Sequence, residues 1–254
     1  MKLFIMDAGV VRNPNKGFLT PRRDEGIPIT IPISMYLIDH PQGLVVVDVG
    51  LNVKNWPEHF RPDADDDPEH YVDRQIEKLG YDSKNVKYVI MSHYHIDHTG
   101  GMTLLPDATF IVRRSELQMA WWPPNRENGA FSLIYPDYKD TRFYKYIELD
   151  DDVDYDVFGD GTIVCIDTRG HTCGHQSVIV NLPVTGKIVL TLDAAPLREN
   201  IDDRIKPGIG TWNTPLALEA IDKLRQYRED GALVILGHDP DQWQTLKKVP
   251  DFYC

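Results

Sequence analysis

The sequence predicts an α/β protein of the layered-sandwich kind, and three observations support this prediction. Short aliphatic and β-branched runs, typical of buried strands, recur along the 254 residues. A smaller number of segments have the apolar spacing of amphipathic helices. The strands mostly precede and follow helices, with several hairpins, and no linker rich in Gly or Ser divides the chain. We therefore expect residues 1–254 to form a single domain.

The predicted elements follow one another along the whole chain. The strand-like runs lie at 2–6, 33–39, 44–49, 86–91, 109–112, 162–167, 176–182, 187–192 and 232–236. Helical patterns lie at about 68–79, 115–122 and 215–229. The last helix is the clearest, because Thr214 can cap it, Pro215 suits its first turn and Gly231 ends it.

The segment 92–101 concentrates metal-binding side chains directly after the strand-like run 86–91. It holds four of them within six positions: His93, His95, Asp97 and His98. Imidazole and carboxylate groups are the usual ligands of zinc in hydrolytic sites. Residues two apart in an extended segment point the same way, so the first two histidines can bind one ion. The aspartate and the last histidine then face a second ion, at a strand end where α/β proteins commonly place chemistry.

Three later residues supply the remaining ligands, each being the first strong ligand after a strand-like run: His171, Asp193 and His238. A catalytic zinc takes about three protein ligands and keeps an open position. Seven ligands are therefore the number expected for two ions that share a bridging carboxylate. The alternative for segment 92–101 is a histidine-rich surface loop, which leaves the order of the later residues unexplained. Cys173 is a weaker candidate ligand, because Asp193 already supplies the bridge.

This set of residues resembles the metallo-β-lactamase superfamily. The motif His93-x-His95-x-Asp97-His98, then His171, Asp193 and His238, covers nearly the whole chain. Within the superfamily the chain is most similar to the N-acyl-homoserine lactonases, which are quorum-quenching lactonases. The segments similar to theirs are 3–9, 32–38, 47–50, 170–177, 237–239 and 251–253. The resemblance implies a four-layer αββα sandwich with a dinuclear site at one edge of the two sheets.

The resemblance also implies a mechanism and the role of each ligand. The first ion is expected on His93, His95 and His171, the second on Asp97, His98 and His238, and Asp193 is expected to bridge them. A hydroxide between two zinc ions would attack the lactone carbonyl, since metal binding lowers the pKa of water to about 7. Asp97 is the predicted catalytic proton shuttle to the leaving alkoxide. Iron, cobalt and manganese are alternatives to zinc.

One residue departs from the lactonase pattern. Those enzymes usually carry a tyrosine three residues after the bridging aspartate, and it donates a hydrogen bond to the substrate carbonyl. Here the position is Pro196, which has neither a side-chain donor nor a backbone N–H. A hydrolase of another lactone, an ester or a thioester therefore stays open beside the acyl-homoserine lactonase. A non-catalytic metal-binding module is a third alternative, which the complete ligand set argues against.

Two long segments, 12–30 and 119–146, are predicted to be irregular and to act as lids or binding loops. The second is rich in aromatic residues, which suit an apolar acyl chain, although a satellite core or a dimer contact would explain them equally well. The predicted substrate contacts are Trp121 and Trp122 in that segment, together with Ile96 and Pro196 beside the metal ligands.

Composition limits the partners. The chain has 27 basic and 39 acidic residues, a formal charge of −12, so a nucleic-acid backbone would be repelled. The first apolar run ends at Asp7 and is too short for the apolar region of a signal peptide. No stretch approaches the ~20 apolar residues of a spanning helix. Three cysteines without a paired spacing indicate no disulfide framework. We expect a cytoplasmic protein with a small-molecule lactone or ester substrate and no membrane partner, and a homodimer stays open.

Overall fold

The computed structural model describes residues 1–13, 15–55, 63–65, 67–121 and 141–254. The strands in these ranges are β1 (Lys2–Asn13), β2 (Ile29–His40), β3 (Gly43–Val47), β4 (Val86–Ile90), β5 (Thr109–Arg113), β6 (Lys145–Leu149), β7 (Tyr155–Asp156), β8 (Ile163–Asp167), β9 (Gln176–Leu182), β10 (Gly186–Leu190) and β11 (Leu233–Ile235). The α-helices are α1 (Val72–Lys78), α2 (Ile96–Thr99), α3 (Arg114–Trp121), α4 (Arg198–Asp202), α5 (Thr214–Glu229) and α6 (Pro240–Thr245). Within the described ranges, every helix is too short or too polar to cross a membrane.

The strands form two sheets. The six-stranded sheet has the order β1-β2-β3-β4-β5-β6, antiparallel from β1 to β3 and parallel from β3 to β6. The five-stranded sheet has the order β11-β10-β9-β8-β7, in which only β10 and β11 run parallel. Parallel neighbours end at the same edge of a sheet, so the loops that follow β3, β4 and β5 start close together.

Side chains along the strands point alternately to the two faces of each sheet, and the buried ones form three apolar layers. In β1, Leu3 and Ile5 pack between the two sheets, while Phe4 and Met6 face the outer side of the six-stranded sheet. That outer side is covered by apolar residues of α1 and α3. The outer side of the five-stranded sheet packs against α4 and α5. The order of layers is helix, sheet, sheet, helix, which confirms the predicted αββα sandwich.

Several element boundaries differ from the sequence-based prediction. Segment 12–30 is less irregular than expected, because β1 and β2 pair antiparallel until Asn13 lies opposite Ile29. The helix predicted at 68–79 is divided, since Tyr71 has an extended backbone between a 3₁₀ turn and α1. Helix α5 is capped by Asn213, whose side chain accepts from the N–H of Leu216, and the predicted cap at Thr214 is wrong.

Candidate metal centre

The seven predicted ligands follow four strands. Four of them come after β4 of the six-stranded sheet, and the others follow β8, β10 and β11 of the five-stranded sheet. The structure adds a detail that the sequence did not predict: Asp97 and His98 lie on the short helix α2, and His93 and His95 precede it. A four-residue helix turns the second pair of side chains away from the first, so the two pairs still separate as expected.

The structure brings these side chains together as two groups, each with its ligand atoms within 4.8 Å of one another: His93, His95, His171 and Asp193, and Asp97, His98 and His238. Asp193 faces both groups. Its Oδ2 lies 3.7 Å from Nε2 of His93 and 3.3 Å from Nε2 of His171. Its Oδ1 lies 3.3 Å from Nε2 of His98 and 2.8 Å from Nε2 of His238. The carboxylate therefore offers one oxygen to each group.

The remaining two ligands complete the groups. Nδ1 of His95 lies 3.0 Å from Nε2 of His171 in the first group. In the second group, Oδ2 of Asp97 lies 3.6 Å from Nε2 of His98 and 3.7 Å from Nε2 of His238. The aspartate side chain is 19% exposed, compared with 7% for Asp193, so Asp97 is the more accessible carboxylate of the site.

Backbone carbonyls fix two of the imidazole rings. Nδ1 of His171 lies 2.9 Å from the carbonyl oxygen of Pro207, and Nδ1 of His238 lies 2.9 Å from that of Pro32. A carbonyl oxygen only accepts, so in both rings Nδ1 carries the proton. When each ring is neutral, Nε2 keeps its lone pair and lies next to the Asp193 carboxylate.

Asp48 and Ser92 fix two further rings. Asp48 accepts from the Ser92 N–H at 2.7 Å, from the Ser92 hydroxyl at 2.6 Å and from Nδ1 of His98 at 2.7 Å. Because the single hydroxyl proton of Ser92 goes to Asp48, its oxygen accepts from Nδ1 of His93 at 2.9 Å. When the rings are neutral, these bonds leave the Nε2 lone pair of both histidines facing the site. Sequence reasoning assigned no role to Asp48 or Ser92, although Asp48 follows a strand in the same way as the ligands do.

The unsatisfied atoms of the site fit two divalent cations. Among the described residues, Nε2 of His93, His98 and His238 and Oδ1 of Asp193 are buried without a hydrogen-bond partner. Buried polar atoms are normally paired, and lone pairs that face one another repel. A cation between them removes both costs. Nitrogen and oxygen donors in sets of three to four suit zinc.

Burial and charge separate the pKa values of these histidines. Burial, helped by the neighbouring His171, lowers the pKa of His95 to about 3. For His98, burial opposes the imidazolium, but Asp97, Asp193 and Asp48 raise the pKa well above its usual value. The first group therefore holds a neutral imidazole ready to bind metal, while protons compete with metal at His98.

Backbone strain lies directly beside the ligands. Asp48 has φ +53° and Leu192, the residue before Asp193, has φ +49°. Residues other than glycine rarely adopt this left-handed region, which costs about 1–3 kcal/mol each and occurs mostly at functional sites. Gly100 allows a close approach after α2: its N–H donates to the Gly50 carbonyl at 2.8 Å, and a Cβ there would lie 2.2 Å from the Asn52 nitrogen.

The predicted substrate contacts have different surroundings. Ile96 is buried on α2 in the outer cluster of the six-stranded sheet, and Pro196 is buried with its carbonyl accepting from the His238 N–H at 2.8 Å. Trp121 is partly buried at the end of α3, where the Arg142 guanidinium lies 5.0 Å from its ring centre. Trp122 lies outside the described residues, as does most of the aromatic segment.

Comparisons with known proteins agree with this arrangement. The model of the metallo-beta-lactamase superfamily matches residues 29–238, a range that includes all seven candidate ligands. The N-acyl homoserine lactonase AttM of Rhizobium radiobacter is 36% identical over 100% of this chain and 99% of its own. The N-acyl homoserine lactonase AiiA of Bacillus thuringiensis subsp. kurstaki is 28% identical over 99% and 98%. A crystal structure of a quorum-quenching N-acyl homoserine lactone lactonase has a TM-score of 0.83 at 25% identity, covering 99% of this chain and 98% of that one.

Proposed function

This chain belongs to the metallo-beta-lactamase superfamily, and on that premise we propose that it is a metal-dependent hydrolase that opens the ring of N-acyl-homoserine lactones. The observation that carries the proposal is the carboxylate of Asp193, which has one oxygen toward each group of ligands. The full-length similarity to proteins named N-acyl homoserine lactonase supports the substrate class. We extend the proposal to residues 1–254 as one hydrolase domain.

The proposed ligand set has two parts joined by one carboxylate. His93, His95 and His171 would hold one cation, Asp97, His98 and His238 the other, and Asp193 would contact both. We propose zinc, on the nitrogen and oxygen donors and the buried surroundings. When bound, two such cations supply a nucleophilic water near neutral pH and polarise the lactone carbonyl.

The protein's own groups would control the proton. Opening the lactone adds water across the acyl C–O bond and gives a carboxylate and an alcohol, so a proton must reach the leaving alkoxide. Asp97 suits this role, because its carboxylate belongs to the site and is still partly open to substrate. Pro196 leaves this chain one hydrogen-bond donor short of the lactonases that it resembles.

Pro196 also favours a second candidate function, a hydrolase of another lactone, an ester or a thioester on the same metal centre. Two expectations stay predictions from the sequence: a cytoplasmic location and the absence of nucleic-acid partners. Whether the protein forms a homodimer stays open.

Turnover on a substrate panel tests the proposal. The metal-loaded protein is assayed with acyl-homoserine lactones of short, medium and long chains, other lactones, aryl esters and a glutathione thioester, with product masses recorded. Ring opening of the acyl-homoserine lactones is expected to be the fastest reaction. His171→Ala is expected to remove activity and lower the metal content. His40→Ala is the control. His40 is a buried histidine like His171, but it stacks on Phe158 outside the two ligand groups. Rapid thioester or ester turnover without lactone opening would replace the proposal with the second candidate.

A further inference from the structure

Glu116 is a buried carboxylate near the start of α3 that takes no part in the proposed reaction. It is 3% exposed, and its two oxygens accept from two different backbone amides. The Tyr94 N–H donates to Oε1 at 2.9 Å, and the Gly174 N–H donates to Oε2 at 2.8 Å. Hydrogen bonds to an ionised acceptor are roughly twice as strong as neutral ones.

The two amides belong to two loops that carry ligands of the first group. Tyr94 lies between His93 and His95 in the loop after β4 of the six-stranded sheet. Gly174 lies three residues after His171, in the loop after β8 of the five-stranded sheet. A single carboxylate therefore joins the loops from both sheets that hold these ligands.

Helix α3 packs closely against the loop after β8, and residues of both segments contribute hydrogen bonds. A Cβ on Gly174 would lie 2.5 Å from both Cβ and the backbone nitrogen of Glu116, so only glycine fits. The Cys173 thiol donates to the Ser115 carbonyl at 3.2 Å. The Ser115 hydroxyl, which lies 2.8 Å from Oδ1 of Asp151, is also 3.1 Å from the Cys173 carbonyl. The start of α3 is thus fixed against the loop that carries His171.

We propose that Glu116 is a positioning residue for the first group of metal ligands. It fixes the loop of His95 relative to the loop of His171, and so sets the 3.0 Å approach of their ring nitrogens. A carboxylate is required because two donors need two acceptors. Glutamine has one acceptor, and its NH₂ group would face a backbone N–H. The inference rests on the proposed function only in needing a metal at this site, and metal binding can be measured without turnover.

The test compares Glu116→Gln with Glu148→Gln. Both changes remove one negative charge, but Glu148 is an exposed residue of β6 that pairs with Arg114. Metal-free proteins are titrated with Co²⁺ in competition with a chelator, and the visible absorption of the Co²⁺ forms is recorded beside their melting temperatures. Glu116→Gln is expected to weaken one of the two Co²⁺ sites by about 10- to 100-fold and to alter the spectrum. Glu148→Gln is expected to match the parent protein.

Kinetics provide a second readout on the zinc-loaded proteins. Displaced metal ligands should disturb the geometry of the reacting groups more than they disturb substrate binding. We therefore expect kcat to fall while KM changes by less than about twofold. Glu116→Asp keeps both acceptors on a shorter arm and should recover part of the Co²⁺ affinity.

The possible outcomes separate the two proposals. Parent-like Co²⁺ affinity and spectrum in a folded Glu116→Gln protein would overturn the positioning role, and so would equal losses in Glu148→Gln. If Glu116→Gln does not fold, Glu116→Asp provides the test. Parent-like Co²⁺ affinity and absorption in that variant would overturn the positioning role, whereas weaker binding at one Co²⁺ site would support it. A parent protein that opens no lactone, yet loses Co²⁺ affinity on the Glu116 change, would refute the proposed substrate and leave the positioning role intact.

Discussion

Oδ2 of Asp48 lies 2.7 Å from Nδ1 of His98, and both side chains are almost completely buried. The pair connects the end of β3 with α2 across 50 residues of sequence. A carboxylate at this position orients the ring, fixes its tautomer and makes Nε2 a more basic ligand. The same carboxylate holds Ser92, and through it the ring of His93.

Asp48→Asn should therefore weaken metal binding without changing any proposed ligand. The amide keeps the size of the side chain but can accept through only one atom, so the bonds to Ser92 and His98 cannot all persist. We expect metal affinity and turnover to fall by about 10- to 100-fold, measured by chelator competition and kcat. Asp39→Asn is the matched control, since Asp39 lies in the same sheet and accepts from the Tyr81 hydroxyl. Full metal affinity in Asp48→Asn would contradict the role given to Asp48.

Asp193→Asn should separate the two metal sites. Its amide offers an oxygen to one group of ligands and an NH₂ to the other, so one site loses a negatively charged ligand. Elemental analysis should find the metal content falling from two ions per chain toward one, and kcat should fall by orders of magnitude while the circular dichroism spectrum persists. Unchanged kinetics would mean that another residue links the two groups.

Pro196→Tyr should raise kcat/KM on acyl-homoserine lactones. A neutral hydrogen bond contributes about 0.5–1.5 kcal/mol, which corresponds to at most roughly tenfold in rate. The substitution sacrifices no backbone bond, because proline has no N–H and the carbonyl that accepts from His238 is kept. Pro196→Phe adds the ring without the hydroxyl and should match the parent protein. Equal rates for the two variants would show that the hydroxyl gives no assistance here.

Asp167→Asn should destabilise the fold in a pH-dependent way. Burial opposes ionisation of Asp167, but hydrogen bonds from Arg169 lower its pKa below the usual value. A carboxyl whose pKa is depressed in the folded state contributes stability above its unfolded pKa and loses it as the pH falls through the folded pKa. In urea unfolding of the metal-free protein, the variant should lose about 1 kcal/mol at pH 7. The difference should begin to shrink below about pH 4, near the unfolded pKa, and should close only when the pH is below the lower pKa of the folded state. Asp150→Asn, at an exposed ion pair with Arg114, should change little at either pH, and a constant deficit in Asp167→Asn would exclude an electrostatic origin.

The seven residues that the structure brings together could be selected from the sequence, because each one follows a strong local pattern. Aliphatic runs mark β4, β8, β10 and β11, and the first strong ligand after each run belongs to the site. Helix α2 was not predictable, since four residues are too few to show a helical period. Strand β7 has only two residues, so it gave no signal either.

The supporting residues could not be found in the same way. Glu116 reads as an ordinary helical residue, and its role appears only through contacts with Tyr94 and Gly174, which are 22 and 58 residues away. Asp48 likewise depends on His98, at a distance of 50 residues. Asp48 does follow a strand, but that position does not distinguish a carboxylate that orients a ligand from a ligand itself, and only the packing of distant segments shows the difference.

The candidate ligands come from both sheets, so a bound metal would make the stability of the fold depend on the metal supply. His93 follows β4 in one sheet and His171 follows β8 in the other, so an ion held by both would cross-link the sandwich. Binding to the folded state alone adds RT ln(1 + [M]/Kd) to the free energy of unfolding. In a metal-starved cell the chain would unfold and be degraded more often. A variant of a metal-ligand residue would then lose cellular abundance as well as kcat. Activity measured in a cell extract would therefore overstate the loss of kcat.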